Sequence, residues 1–315
     1  MEAGMTPVAI GVVVVNWNGW RDTIACLESL ARATPRPECA VVVDNGSTDD
    51  SVEVLQRWAT TRDSLRVSIV AAGANRGFSA GNNLGIAQLA RDARISHFLL
   101  LNNDATVEPT FFAELARALE HHPDAGLVGA TIYEANEARP IWYAGGGFVP
   151  LRCIAVHHHA VPTDQVAVPT DFVTGCAMLV ARATWEVLGP LPECYFIYME
   201  DAEYSWRARA AGLPVMYAPR AVVLHAVSTT VMRAVTRARR KYLMTRNRAL
   251  FVRRNLRGWT RWAAIAYLVI TKPGRALLEA LAGRPRDGWA FLRGAVSGLL
   301  AKDGTLRATH RARAS

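Results

Sequence analysis

Carboxylates and amides recur in this sequence at the ends of short apolar runs. Phe98-Leu99-Leu100-Leu101 leads directly into Asn102-Asn103-Asp104. An apolar run this short and uniform does not fit an amphipathic helix and predicts a strand buried on both faces. Open α/β sheets bind ligands just past the carboxyl ends of their strands, so Asp104 stands where a carboxylate could meet a ligand or a metal ion. A turn or helix-cap cluster ahead of Glu108-Pro109 is the alternative. A second acidic group, Glu200-Asp201-Ala202-Glu203, follows Tyr195-Phe196-Ile197-Tyr198-Met199 and opens a helix that continues to Gly212. Acids suit the positive end of a helix dipole, which accounts for one or two of them. A carboxylate opening a helix beside a cleft is also a usual place for a general base. His225 ends the apolar run Val222-Val223-Leu224, where a lone histidine is ordinarily structural.

The elements that must position these groups follow from periodicity. Val8 to Val15 reads as a first buried strand ending in the turn Asn16-Trp17-Asn18-Gly19, and Trp20 to Ala33 as a helix with Ile24, Leu27 and Leu30 on one face. Ala40 to Val43 is a second strand, ending in Asp44-Asn45-Gly46-Ser47-Thr48-Asp49, with a helix over Val52 to Trp58. Val67 to Ala71 is a third. The loop Asn75-Arg76-Gly77-Phe78-Ser79-Ala80-Gly81-Asn82-Asn83 then opens a helix over Leu84 to Ala90. The Phe98 strand and a helix from Thr110 to Leu119 follow. This alternation predicts a doubly wound, mostly parallel sheet, whose right-handed crossovers bring the polar strand ends to one edge. No GxGxxG follows the first strand and no GK[ST] occurs, so neither a dinucleotide nor a Walker loop is expected.

Residues 123–170 are less regular. His157-His158-His159 is expected to be a solvated loop, because adjacent side chains point different ways. Ala177 to Val180, after Thr174-Gly175-Cys176, predicts another strand, and Val215 to Val223 an extended segment that delivers His225. From Val231 the character changes to basic, amphipathic helix, including Arg237, Arg246, Arg248 and Arg254; Lys272-Pro273-Gly274 is expected to stop the helix over Ala263 to Ile270.

The net charge of +9 is unevenly spread: 20 Lys and Arg against 3 Asp and Glu from Arg233 onward, and 16 against 24 before it. Such a tail suits an anionic surface. Apolar stretches too short to span, edged by Trp and Arg, fit helices lying in a membrane interface rather than across it. No groove-reading motif accompanies the basic residues, so nucleic acid is not an expected partner. Five cysteines without CxxC spacing indicate a reduced chain with no disulfide framework or zinc site. Met1-Glu2-Ala3-Gly4 leads into the first strand without a signal pattern.

Five segments in order resemble family 2 inverting glycosyltransferases, and within them bacterial rhamnosyltransferases and galactofuranosyltransferases. They are Val12 to Gly19, Val43 to Asp49, Asn75 to Asn83, Leu100 to Asp104 and Glu200 to Tyr204. The likeness runs over about residues 8 to 257. It implies an α/β, GT-A fold over 1–230, Rossmann-like with a mostly parallel doubly wound sheet, and a basic helical, membrane-associating tail over 231–315. It also implies a nucleotide-diphosphate sugar donor held by Asn16, Asp44, Asn75, Arg76, Gly77, Asn82, Asn102 and Asn103. Asp104 would bind Mg²⁺ or Mn²⁺, with His225 at the position of a metal-binding histidine of the galactofuranosyl branch. Asn102 replaces the first acid of the family's DxD motif, which leaves Asp104 its only carboxylate. Asp201 is implied as the base, and Glu200, Gly175, Trp142 and Arg246 as acceptor-binding residues, with Arg246-Asn247-Arg248 toward acceptor phosphate. A polyprenyl-linked acceptor at the cytoplasmic face of the cell membrane fits the basic tail. A soluble glycosyltransferase acting on a small molecule, a sugar-nucleotide-binding protein with little turnover, and a nucleotidyltransferase are the competing readings.

Overall fold

The structure is a computed structural model, described over residues 8–162, 164–227 and 235–302. The first half alternates strand and helix as its periodicity requires: β1 (Ile10–Asn16), α1 (Trp20–Arg32), β2 (Cys39–Asp44), α2 (Ser51–Thr60), β3 (Val67–Ala71), α3 (Phe78–Leu89) and β4 (His97–Asn102). β5 (Ala105–Val107), α4 (Phe111–His121), β6 (Leu127–Glu134), β7 (Ile141–Tyr143), β8 (Gly146–Val149), β9 (Ile154–His157) and β10 (Val168–Pro169) follow. Then come β11 (Ala177–Ala181), α5 (Arg182–Leu188), α6 (Glu200–Ala210) and β12 (Val215–His225). Three helices close the described chain: α7 (Arg237–Asn255), α8 (Gly258–Leu281) and α9 (Pro285–Leu299).

The main sheet has the order β10-β12-β6-β11-β4-β1-β2-β3, with β5 on β12 and β7 on β6. β4, β1, β2 and β3 are mutually parallel, and β12 runs parallel to β6. All of β2 and the interior of β4 are buried, as strands covered on both faces must be. β8 and β9 form a separate hairpin-like pair.

β11 is the exception that shapes the site, because it lies antiparallel between β4 and β6. An antiparallel strand begins where its parallel neighbours end. Thr174-Gly175-Cys176 therefore sits beside the carboxyl end of β4, with the Asn102 N–H donating to the Cys176 carbonyl at 2.9 Å.

Two helix boundaries differ from expectation. α3 begins at Phe78 rather than Leu84. Gly81 and Gly85 let it lie directly on β1: a Cβ on Gly85 would fall 2.3 Å from a Val13 methyl. The buried Asn82 amide is absorbed by the Phe78 carbonyl. α8 does not stop at Lys272-Pro273-Gly274 but continues to Leu281 with Pro273 inside it. The carbonyl that Pro273 leaves without a helical donor belongs to Val269, on the exposed side of the helix. The expected boundary between 230 and 231 lies outside the described residues, as does Met1-Glu2-Ala3-Gly4.

The turn into α6 is strained. Phe196, Tyr198 and Met199 all have positive φ, at 68°, 72° and 80°, in a region that side-chain-bearing residues rarely occupy. Buried Asn247 on α7 holds it, its Nδ2 donating to the carbonyls of Tyr195, Ile197 and Tyr198 at 3.1, 2.8 and 2.9 Å. One turn further, Glu203 is buried between Arg254 (2.9 Å), Asn255 (2.9 Å) and the Tyr195 hydroxyl. α7 is thereby fixed to the body through its polar side chains. Asn247→Leu removes the donor from all three carbonyls and is expected to lower the unfolding free energy by about 2–4 kcal/mol. A urea midpoint equal to that of the wild type would show that the turn holds without Asn247.

Candidate active site

At the carboxyl edge of the sheet the polar strand ends converge on one cleft of about 410 Å³, within the range of small-molecule sites. Val15, Trp17, Asn45, Asn75, Gly77, Asn102, Asn103 and Asp104 line it from the nucleotide-binding half expected from the sequence. Trp142, His157, Gly175, the turn Phe196–Met199, Glu200, Asp201, His225 and Arg248 line the rest.

Asn16 and Asp44 end neighbouring strands in register and are turned toward each other. Asn16 Nδ2 donates to Asp44 at 2.9 Å, and the Ser47 N–H donates to the other Asp44 oxygen at 3.0 Å. Both are buried behind the cleft wall rather than lining it. Asn45, one residue on, does line it. Its amide donates to the Gly77 carbonyl and accepts the Arg76 N–H, joining the β2 loop to the Asn75 loop. Gly77 has φ 90°, and a Cβ there would fall 2.4 Å from the Phe196 carbonyl, so only glycine fits where this loop meets the strained turn. The Arg76 side chain points outward to Glu193 at 3.9 Å. Asn103 reaches back to Thr23 of α1 at 3.2 Å.

Asp104 and His225 come together from segments distant in the chain. β5 pairs antiparallel with the end of β12, placing His225 opposite Ala105. His225 Nε2 then lies 3.0 Å from Asp104 Oδ1 and 3.3 Å from the Asn102 amide. Burial works against the charged imidazole, but Cys176 and Asp104 beside it prevail and raise it to about 10. Among the described residues no three His, Cys, Asp or Glu side chains group around a metal position. A carboxylate, an imidazole and an amide whose oxygen a flip would present nevertheless make a donor set that suits Mg²⁺ or Mn²⁺. Such ions complete their shells with substrate phosphate and water.

Glu200 and Asp201 open α6 at the opposite wall. Asp201 Oδ2 accepts the Gly175 N–H at 2.9 Å and Oδ1 accepts its neighbour Ala202 N–H at 2.8 Å. Burial raises Asp201, and these two donors work against that rise. Glu200 is more deeply buried, and one of its oxygens has no hydrogen-bond partner. Burial first, then the adjacent Asp201 charge, push it up to about 8. The hydrogen bonds make Asp201 the first of the pair to ionise, with Glu200 holding its proton beside it.

Trp142 stands edge-on between two imidazoles, 4.5 Å from His157 and 5.1 Å from His225. His157 corrects the solvated-loop expectation: it belongs to β9, is half-buried, and its Nδ1 meets the Trp142 carbonyl at 3.0 Å. His158 and His159 are exposed. Tyr195 is core rather than cleft wall, whereas Phe196 lines the cleft. Arg246 donates to the Cys194 carbonyl at 3.0 Å and to Asn247; it is Arg248, two residues on, that lines the cleft. Asn45 and His157 line the cleft without having been singled out from the sequence, whereas Arg248 belongs to the expected Arg246-Asn247-Arg248 group. Of the two, Asn45 had a local signal, being adjacent to Asp44 at a strand end.

The comparisons with known proteins show the family and the fold. The profile described as Glycosyl transferase family 2 matches residues 11–187. The N-acetylglucosaminyl-diphospho-decaprenol L-rhamnosyltransferase of Mycobacterium tuberculosis is 28% identical over 242 residues, 70% of this chain and 76% of that protein. Among solved structures, the mannosyltransferase PcManGT from Pyrobaculum calidifontis, in complex with GDP-Man and Mn²⁺, has a TM-score of 0.56 at 20% identity; the match covers 93% of this chain and 87% of that one. GalNAc-T7 with UDP, GalNAc and Mn²⁺ has a TM-score of 0.59 at 18% identity, over 69% of this chain and 43% of that one. At such identities the solved structures establish the GT-A fold alone.

The Glu200 carboxyl supplies a test of the acidic pair. It holds its proton to about 8 in the folded chain, against an ordinary value of 4.5. Between those limits the folded state binds more protons than the unfolded, so this group's contribution to stability declines as pH rises through the window. Glu200→Gln keeps the shape and cannot ionise. It is expected to flatten the fall in denaturation midpoint across that window, and an unaltered slope would locate its source elsewhere.

Proposed function

The chain belongs to Glycosyl transferase family 2, and from that premise we propose that it transfers rhamnose from dTDP-rhamnose, with inversion, to a hydroxyl of a lipid-linked cell-surface glycan. The observation that carries the mechanism is Asp201. It is a cleft-lining carboxylate fixed by two backbone N–H groups, with a proton-holding glutamate beside it. In a single inverting displacement the acceptor hydroxyl attacks the anomeric carbon as the nucleoside diphosphate departs. Asp201 takes the hydroxyl proton as that bond forms. Glu200, still protonated, adds no second charge to oppose it. Gly175 brings backbone close enough to orient Asp201, and Trp142 offers an apolar face to a sugar ring. Asn45, Asn75, Asn102 and Asn103 supply neutral hydrogen-bonding groups along the donor side. Mg²⁺ or Mn²⁺ at Asp104 and His225 would neutralise charge on the departing diphosphate. The choice of rhamnose and of a lipid-linked acceptor is supported by the identity to the mycobacterial rhamnosyltransferase.

The C-terminal helices support a place at an anionic membrane surface. No described helix is long and apolar enough to cross a membrane. α8 nevertheless exposes Trp259 (82%), Trp262 (63%), Ile270, Leu277 and Leu281 along one side, within the segment that carries the excess of Lys and Arg. An apolar stripe edged by tryptophan and arginine suits the interface of anionic lipid.

Two measurements test this function. Release of nucleoside diphosphate, assayed over dTDP- and UDP-sugars with lipid acceptor, is expected to require a divalent cation and to drop by about 10²–10⁴-fold in Asp201→Asn. Unchanged turnover in that variant would place the base elsewhere; donor binding with no turnover from any sugar would make this a binding protein. Separately, Trp262→Glu combined with Leu281→Glu is expected to abolish flotation with phosphatidylglycerol vesicles while leaving donor hydrolysis in detergent intact. Equal flotation by variant and wild type would refute the α8 interface.

A further inference from the structure

The buried side of α8 carries Ala264, Leu268, Lys272 and Ala276, spaced one helical turn apart. Three of the four are what a packed face requires; the lysine is not. Lys272 is only 4% exposed. Its ammonium lies 5.7 Å from the centre of the Phe291 ring. Among the described residues no carboxylate lies within ion-pair distance of it, nor of its cationic neighbours Arg248, Arg275 and Arg152.

The contrast with Lys241 sharpens the point. Lys241, at the α7–α9 contact, is paired with both Glu279 and Asp287, at 3.1 Å from the latter. Those are the only acids among the described residues of the C-terminal helices, and Arg237 and Arg284 share them. No acid among the described residues of this segment is left to neutralise the Lys272 group. Burial, then Arg248, Arg275 and Arg152, push the Lys272 amine down to about 8. Arg248 is likewise lowered by burial and then by Arg275. A buried cation without a counter-charge costs several kcal/mol, so the buried Lys272 beside the half-buried Arg248 and the exposed Arg152 and Arg275 points to an anion from outside the chain.

The position of the cluster says which anion. Arg248 lines the same cleft as Asp201, while the other side of α8 is the exposed apolar stripe. We propose that Lys272 and Arg248, with Arg152 and Arg275 at the rim, form a binding site for the diphosphate of a prenyl-linked acceptor, between the membrane-facing stripe and the base. A diphosphate esterified to the prenyl chain at one end and to the glycan at the other keeps a negative charge on each phosphate for the cations to meet, and its prenyl chain leaves along apolar helix. The guanidinium supplies paired donors and the ammonium a point charge. This site rests on the glycosyltransferase reading for the acceptor's role but not for the anion's binding.

The test is calorimetric titration of the full chain in detergent with farnesyl diphosphate as the probe. Saturable binding is expected in the wild type, with farnesol at least about tenfold weaker, since it lacks every charge-assisted contact. Lys272→Met removes the charge from a buried position and keeps the bulk, so the fold is expected to be retained or stabilised, as thermal unfolding will show. It is expected to weaken farnesyl diphosphate by at least about tenfold more than it weakens dTDP with Mn²⁺. Arg248→Met is expected to act in the same direction. Competition by inorganic diphosphate would confirm that the charge is what is read. The proposal fails if Lys272→Met binds farnesyl diphosphate as the wild type does, or if dTDP weakens equally. It fails too if phosphatidylglycerol vesicle binding falls in parallel, which would make the cluster part of a general lipid surface. Absence of sugar transfer from every donor, with farnesyl diphosphate still bound through Lys272, would instead sink the transferase reading and leave the anion site standing.

Discussion

A single amide, Asn247, holds the turn that sets the direction of the Glu200-Asp201 pair. Three residues between Phe196 and Met199 sit at positive φ without being glycine, each at a cost of about 1–3 kcal/mol. A turn of that kind persists only when its surroundings over-determine it. Asn247 does so from α7, and Gly77 from the donor loop presses against the same turn through the Phe196 carbonyl. The reward is directional: the chain leaves the turn with Glu200 and Asp201 aimed into the cleft. The Asn75 loop and the acid-bearing turn thus share a direct contact, the Phe78 N–H donating to the Phe196 carbonyl at 2.7 Å.

The C-terminal helices are part of the structure that shapes the cleft. α7 supplies Asn247, and also Arg254 and Asn255, which close around Glu203 in the interior. Glu203, third acid of the α6 group, is thereby a structural ion-pair partner, while its neighbours two and three residues earlier line the cleft. The same helix turns Arg248 to the cleft. A helix that looks in sequence like a polybasic membrane anchor is thus integral to the active-site wall.

Charge is laid out along the molecule in a consistent direction. Carboxylates occupy the sheet edge: Asp104 paired to His225, and Asp201 beside a Glu200 that holds its proton because burial disfavours a second charge. Cations gather at the helical side, where Glu279 and Asp287 neutralise Lys241 and leave Lys272 to an external anion. A lipid-linked anion approaching a basic, tryptophan-edged surface would be drawn toward the arginine and lysine side before its hydroxyl met the base.

Much of this was legible in the sequence. Strand runs such as Val12 to Val15 and Phe98 to Leu101 are fixed by their own hydrophobicity, and the polar segments after them had to share an edge once the strands were parallel. The asparagine-rich loops and Asp104 could be singled out for that reason, and the Glu200-Asp201 pair because it opens a helix after an aromatic run. What the sequence could not decide were relations between distant segments. The antiparallel insertion of β11 brings Gly175 to Asp201, and the pairing of β5 with β12 brings His225 to Asp104; no local pattern encodes which strand becomes whose neighbour. His157 looked like one of three equivalent histidines until β9 turned it, alone, to Trp142. Pro273 looked like a stop because its cost depends on whether the carbonyl it orphans is exposed, which is a property of packing. The types of group available for chemistry were set by residue identity and short-range spacing. Which of them face one another, and which are buried enough to hold or lose a proton, was decided only by tertiary structure, because burial and proximity belong to the folded chain.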